Sequence, residues 1–121
     1  MTINRVLIVD DSATDRLVMT ELLEGMGYTV IAAESGEDGI MMAERDMPDL
    51  ILMDVVMPGM TGFQATRTLT KNPLTAHIPV FVCTGKSQAT DQAWALKMGA
   101  KACLLKPLAQ SSFIEQVELL G

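Results

Sequence analysis

The chain has 121 residues, 49% of them hydrophobic, which is enough apolar material to give one domain a full core. Its formal net charge is −6 and its nine Lys and Arg are scattered, an arrangement that repels phosphate backbones and argues against direct nucleic-acid binding. No twenty-residue apolar run and no charged-then-apolar N-terminus is present, so the expectation is a cytoplasmic protein with neither membrane insertion nor signal peptide.

In chain order, Val6-Leu7-Ile8-Val9 is the first strand, and it stops on the acidic pair Asp10-Asp11. Ser12, with Asp15 three residues on, has the form of a capping box, and the helix it opens places Leu17, Val18, Leu22 and Met26 at near-helical spacing. The Gly25 to Gly27 region ends it. Val30-Ile31-Ala32-Ala33 is a second strand. Ser35, with Asp38 three on, opens a second helix through Ile40, Ala43 and Met47, which Pro48 closes.

Leu50-Ile51-Leu52-Met53 has no polar alternation, which is the pattern of a strand covered on both faces, and it stops on Asp54 before Pro58-Gly59 turns the chain. Gly62 to Lys71 reads as a helix with Phe63, Thr66 and Leu69 facing in, broken by Asn72-Pro73. Val80-Phe81-Val82-Cys83 runs into Thr84-Gly85, and Ser87 is placed to cap a helix reaching Met98 and ended by Gly99. Ala102-Cys103-Leu104-Leu105 precedes Lys106-Pro107 and a last helix with Phe113, Val117 and Leu120. Cys83 and Cys103 are too few for a zinc cage and each sits in an apolar run, so both read as reduced core residues.

Five strand–helix units imply an α/β fold, a three-layer (βα)5 sandwich around a parallel five-stranded sheet. They fit the flavodoxin-like order 2-1-3-4-5, whose switch point brings the first and third strands together at their carboxyl ends. Asp10, Asp11 and Asp54 then meet there, with Thr84 and Lys106 at the same rim. Three converging carboxylates need a cation, and all-oxygen ligation suits Mg²⁺. Beside it Asp54 can act as a nucleophile toward phosphorus, while Lys106 and the Thr84 hydroxyl can meet phosphate oxygens. Taken singly, Asp10-Asp11 also reads as a solvated turn, Lys106 as a surface lysine before a proline, and Thr84 as a strand-end hydroxyl.

With those residues assembled, the chain resembles the receiver domains of two-component response regulators, the family that contains CheY. The resemblance is carried by Val-Asp-Asp at 9–11, Met-Asp-Val-Val-Met-Pro-Gly at 53–59, Gly62, Thr84-Gly85 and Lys106-Pro107, and spans essentially residues 1–121. CheY is itself a standing example of the 2-1-3-4-5 order. The resemblance implies a single response-regulatory domain without an output domain. Asp54 would accept a phosphoryl group from the phosphohistidine of a histidine kinase or phosphotransfer protein. Mg²⁺ would be held by Asp10, Asp11, Asp54 and the Val56 carbonyl, and Lys106 and Thr84 would sense the phosphate. It further implies a cis Lys106-Pro107 bond, a monomer, and a target protein bound through the fourth helix, last strand and last helix. The protein would not be an enzyme beyond catalysing its own phosphorylation and dephosphorylation.

The sequence departs from the family at Cys103, three before Lys106, where an aromatic side chain is usual; Gly85 reads as widening access to the phosphate, and Val56 and Lys86 hold positions that tune phosphoryl loss in relatives. The run at 62–71, Ile78-Pro79-Val80 and Trp94 are similar to PilH-type stand-alone regulators of chemosensory systems controlling type IV pilus twitching. Trp94 reads equally as a half-buried packing residue, His77 as solvent-facing, and the ten methionines as adaptable core filler. Three rivals stand beside this reading. Gly85-Lys86-Ser87 imitates the end of a P-loop, but Val80 holds the place of the required glycine. An aspartate-nucleophile phosphatase needs a second aspartate two residues on, where Ser12 and Val56 stand. A phosphorylation-independent adaptor receiver is the third.

Overall fold

The computed structural model describes residues 2–85 and 89–121. Strands and helices alternate throughout: β1 (Arg5–Val9), α1 (Ala13–Gly25), β2 (Thr29–Ala33), α2 (Gly36–Asp46), β3 (Leu50–Asp54), α3 (Gly62–Lys71), β4 (Val80–Thr84), α4 (Ala89–Lys97), β5 (Ala102–Leu105) and α5 (Gln110–Leu119). All pairings are parallel and the strand order is β2-β1-β3-β4-β5, as expected.

Side chains alternate across a strand, so the sheet feeds two cores. Leu7, Val9, Ile51, Met53, Val80 and Val82 face the side covered by α2, α3 and α4. Val6, Ile8, Leu50, Leu52, Phe81 and Cys83 face α1 and α5, where Phe113 meets Tyr28 and Phe81 edge-on. β3 is the centre of this arrangement, with Leu50, Ile51, Leu52 and Met53 at most 1% exposed. Each such side chain contributes about 1.5–3 kcal/mol over an exposed one, so the four together rival the net stability of a typical domain. Apolar burial therefore fixes β3, and Asp54 is carried to the rim by it.

Local signals set the helices. Ser35 Oγ accepts from the Asp38 amide at 3.1 Å, and Thr61 with Gln64 forms a reciprocal box at the start of α3. Asn72 caps α3, and its Oδ1 accepts from the Leu74 amide at 3.0 Å, so the side chain stabilises the turn that ends the helix.

Several expectations need correction. α1 buries Met19 and Leu23, with Leu22 and Met26 half-buried beside them, whereas Leu17 and Val18 are exposed. Positions 19, 22, 23 and 26 form the i, i+3, i+4, i+7 stripe, and a helix can aim only one such stripe at the sheet. Met47 lies outside α2 as its left-handed cap, φ 47°, and is exposed. In α3, Thr66 and Leu69 are buried as expected and Ala65 joins them, while Phe63 is only half-buried against the same core. α4 ends at Lys97, before Met98, and Ser87, expected to cap it, lies outside the described residues together with Lys86. Cys83 is buried as expected, Cys103 only partly, and both are free thiols. His77 is exposed.

Candidate functional site

The rim at the carboxyl ends of the strands is assembled from four strand ends. Asp10 follows β1 and is fully buried: its amide donates to the Ala33 carbonyl at 3.1 Å, its Oδ1 accepts from the Ser12 amide at 2.9 Å, and its carbonyl accepts from Arg16 at 2.7 Å. With Oδ1 taken by the Ser12 amide, Oδ2 is the oxygen that meets Lys106. Asp54 ends β3 at 6% exposure. Just beyond it, the Val55 amide donates to the Cys83 carbonyl at 3.1 Å and the Val55 carbonyl accepts from the Gly62 amide at 2.9 Å. α3 approaches so closely here that a Cβ on Gly62 would stand 1.9 Å from the Asp54 carbonyl oxygen. Only glycine permits that approach.

Lys106 crosses from the end of β5. Its amide donates to the Thr84 carbonyl at 2.8 Å, and the peptide to Pro107 is cis. Its Nζ lies 2.9 Å from Asp54 Oδ1, 3.0 Å from Asp10 Oδ2 and 2.9 Å from Asp15 Oδ2. Asp11 is exposed at the mouth, and one carboxylate oxygen from each of Asp10, Asp11 and Asp54 lies within 4.8 Å of the others. Thr84, nearly buried, and Val56, exposed, line the same cavity of about 500 Å³. Gly85 lines it too, and a side chain there would meet nothing within 4 Å, which leaves that edge open.

All the expected site residues, Asp10, Asp11, Asp54, Val56, Thr84 and Lys106, thus border one cavity. Sequence reasoning missed Asp15 and Arg16. The expected capping box is half-formed: Ser12 Oγ accepts from the Asp15 amide at 3.2 Å, but the Asp15 carboxylate turns to Lys106 and the Ser12 amide to Asp10. A cap reading of Asp15 accounted for its spacing, and the long-range attraction of Lys106, 91 residues away, has no local signal.

Charge in this cavity is finely opposed. Burial pushes the Asp54 carboxyl above its ordinary pKa; the Lys106 hydrogen bond pulls it down, and Asp10 and Asp11 push it up again. Burial works against the Lys106 ammonium, but hydrogen bonds to Asp54, Asp15 and Asp10 outweigh it and hold its pKa well above the ordinary value. The ammonium is therefore charged at neutral pH, one cation for several carboxylates. An all-oxygen donor set with surplus negative charge fits a hard divalent cation and does not fit a thiophilic one.

Residues 6–118 match the family described as "Response regulator receiver domain". The chain belongs to that family. The receiver is 46% identical over 113 residues to Protein PilH of Pseudomonas aeruginosa, with 93% of each chain covered. It is 32% identical to the polar-differentiation response regulator DivK of Brucella ovis, covering 93% of this chain and 92% of DivK. Among solved structures, the Vibrio cholerae chemotaxis protein CheY4 superposes with a TM-score of 0.89 at 26% identity, covering 99% of the receiver and all of CheY4. A response regulator from Chloroflexus aurantiacus gives 0.91 at 28% identity, covering 98% of both. No helix among the described residues is long and apolar enough to cross a membrane.

Proposed function

We propose that the protein is a phosphoacceptor of two-component signalling, with Asp54 as the accepting residue. The observation that carries this is the meeting of Asp54 Oδ1 with the Lys106 ammonium at 2.9 Å in a cavity where Asp10 and Asp11 each bring a carboxylate oxygen within 4.8 Å. Asp54 attacks the phosphorus of a phosphohistidine on a kinase or phosphotransfer protein; an oxygen–phosphorus bond forms, the nitrogen–phosphorus bond breaks, and the histidine leaves with the electron pair. Lys106 is held within reach of the new phosphoryl oxygens, and the Thr84 hydroxyl stands on the adjoining strand end to take another. Asp10, Asp11, Asp54 and the Val56 carbonyl would hold Mg²⁺. That ion, when bound, supplies the positive charge that offsets the charge building on the transferred group.

The protein turns over no external substrate in this reading and works as a cytoplasmic monomer that switches a partner-binding surface. Output passes through the face of α4, β5 and α5, biased by the charge change at the rim. Likeness to PilH supports a place in a chemosensory system controlling type IV pilus twitching. Cys103 takes the place of the family's aromatic switch residue on β5 and is only partly buried, so coupling here runs through a smaller side chain.

Incubation with Mg²⁺ and acetyl phosphate, followed by intact mass, tests the proposal. One adduct per chain, absent from Asp54→Asn and from Mg²⁺-free samples, is expected. Continuous release of many phosphates per chain would instead mark an aspartate-nucleophile phosphatase, and no adduct would leave the adaptor reading. Capture of a partner from cells by beryllofluoride-loaded protein, but not by Asp54→Asn, tests the output.

A further inference from the structure

A second concave surface lies between α3 and α4, away from the acidic rim. Phe63, Trp94 and Met98 line it with Gln64 and Arg67, enclosing about 310 Å³ that is almost entirely apolar. Trp94 is 48% exposed there, and Lys97 Nζ lies 5.1 Å above its ring. None of these five lining residues borders the phosphoacceptor cavity.

The stretch of sequence that supplies both walls of this groove is opposite in charge to the rest of the chain. Residues 55–101 carry five of the nine basic residues, Arg67, Lys71, Lys86, Lys97 and Lys101, and one of the fifteen acidic ones, Asp91, a balance of +4. The remaining residues carry four basic and fourteen acidic, a balance of −10. Among the described residues, the ion pairs use Arg16, Arg45 and Lys106, and no carboxylate bridges Arg67, Lys71 or Lys97. An apolar slot rimmed by unneutralised cations is the complement of an acidic amphipathic segment.

We propose that the α3–α4 groove docks an acidic amphipathic helix of a partner protein, seating an apolar side chain against Phe63 and Trp94 and setting carboxylates on Arg67 and Lys97. Three features favour this occupant. The groove is concave, whereas insertion into a lipid surface needs apolar side chains that project. The cations beside it are too few, and the remaining charge too negative, for a nucleic-acid track. The slot has room for one or two large side chains between two helices, the geometry in which a third helix lies. This site is independent of the phosphorylation reading, since neither its residues nor its charge derive from the rim.

Trp94 is the only tryptophan, so its emission reports on the groove directly. The probe is a 16-residue designed helical peptide with a Leu/Phe stripe flanked by Glu, compared with the same peptide carrying Gln in place of Glu. Calorimetry on the same samples gives Kd without relying on the fluorophore. The expected result is a blue shift with the Glu peptide, a Kd at least tenfold weaker for the Gln peptide or at 300 mM against 50 mM NaCl, and at least tenfold weaker in R67E/K97E. Circular dichroism of that surface variant is expected to be unchanged. No binding of the Glu peptide up to 1 mM overturns the proposal, as does equal binding of the Gln peptide or undiminished binding by R67E/K97E. Tight binding to anionic vesicles without peptide binding, or sedimentation showing a Trp94-dependent dimer, assigns the groove to another occupant and overturns it equally.

Discussion

Replacing Asp54 by Asn should make the protein more stable at pH 7 in the absence of divalent cations, although it removes an ion-pair partner from Lys106. Two like charges 4.8 Å apart repel by about 3.5 kcal/mol at an effective dielectric near 20, so Asp10 and Asp11 together oppose the Asp54 charge by about 7 kcal/mol. Lys106 at 2.9 Å returns about 6 kcal/mol on the same scale. Asp11 is exposed and its share is screened, but burial of Asp54, the largest cause of its raised pKa, adds a penalty of the same sign. The balance leaves a gain of about 1–2 kcal/mol for the neutral side chain, a rise in Tm of about 3–10 °C for a chain of this size. Because the folded pKa of Asp54 lies above its unfolded value, the penalty is absent below about pH 4, the ordinary carboxylate range, and is complete above the folded pKa. The advantage of Asp54→Asn should therefore shrink as pH falls. Urea melts at pH 7 and pH 4.5, with and without Mg²⁺, measure it, and Mg²⁺ should narrow the gap by stabilising the wild type. A loss of stability at pH 7 would show that the Lys106 attraction outweighs the carboxylate repulsion and would refute the charge balance described for the cavity.

Gly62→Ala forces a Cβ to within 1.9 Å of the Asp54 carbonyl oxygen and should cost about 3 kcal/mol or more by urea denaturation, at the upper end for overpacking; a cost under about 1 kcal/mol would show that α3 can shift freely. Asp15→Asn removes a half-exposed partner of Lys106, so it should cost under about 1 kcal/mol and raise the rate of acetyl phosphate modification, followed by mass, because the ammonium has one competitor fewer. Cys83, whose pKa burial pushes up to about 12, should resist a disulfide reagent at pH 8 until the protein is unfolded in urea, while a fast reaction in the folded state would contradict its burial.

What the sequence made legible was whatever rests on short-range physics. Unbroken apolar runs announced β1, β3 and β4, and serine caps with following glycines and prolines bounded α1 and α2, because caps and buried strands are decided within a few residues. The phase of α1 was less accessible. Its apolar residues exceed one face, and only packing against β1 and β2 selects Met19 and Leu23 over Leu17 and Val18. The gathering of Asp10, Asp11, Asp54, Thr84 and Lys106 followed from strand order, since every strand end falls on one edge. Asp15 escaped because its role is set by Lys106, which arrives from the far end of the chain. The α3–α4 groove escaped because a concavity belongs to the angle between two helices and leaves no mark in either one alone.

The alternation of β3 between two cores ties the aim of one carboxylate to the arithmetic of the chain. Adding or deleting a single residue between Leu50 and Met53 would exchange the inward faces, sending Ile51 and Met53 where Leu50 and Leu52 now lie, and would swing the following side chain to the opposite side of the sheet. Residue types in this strand are tradable among hydrophobes of similar size, but its count is not. Length, more than identity, keeps Asp54 facing Lys106.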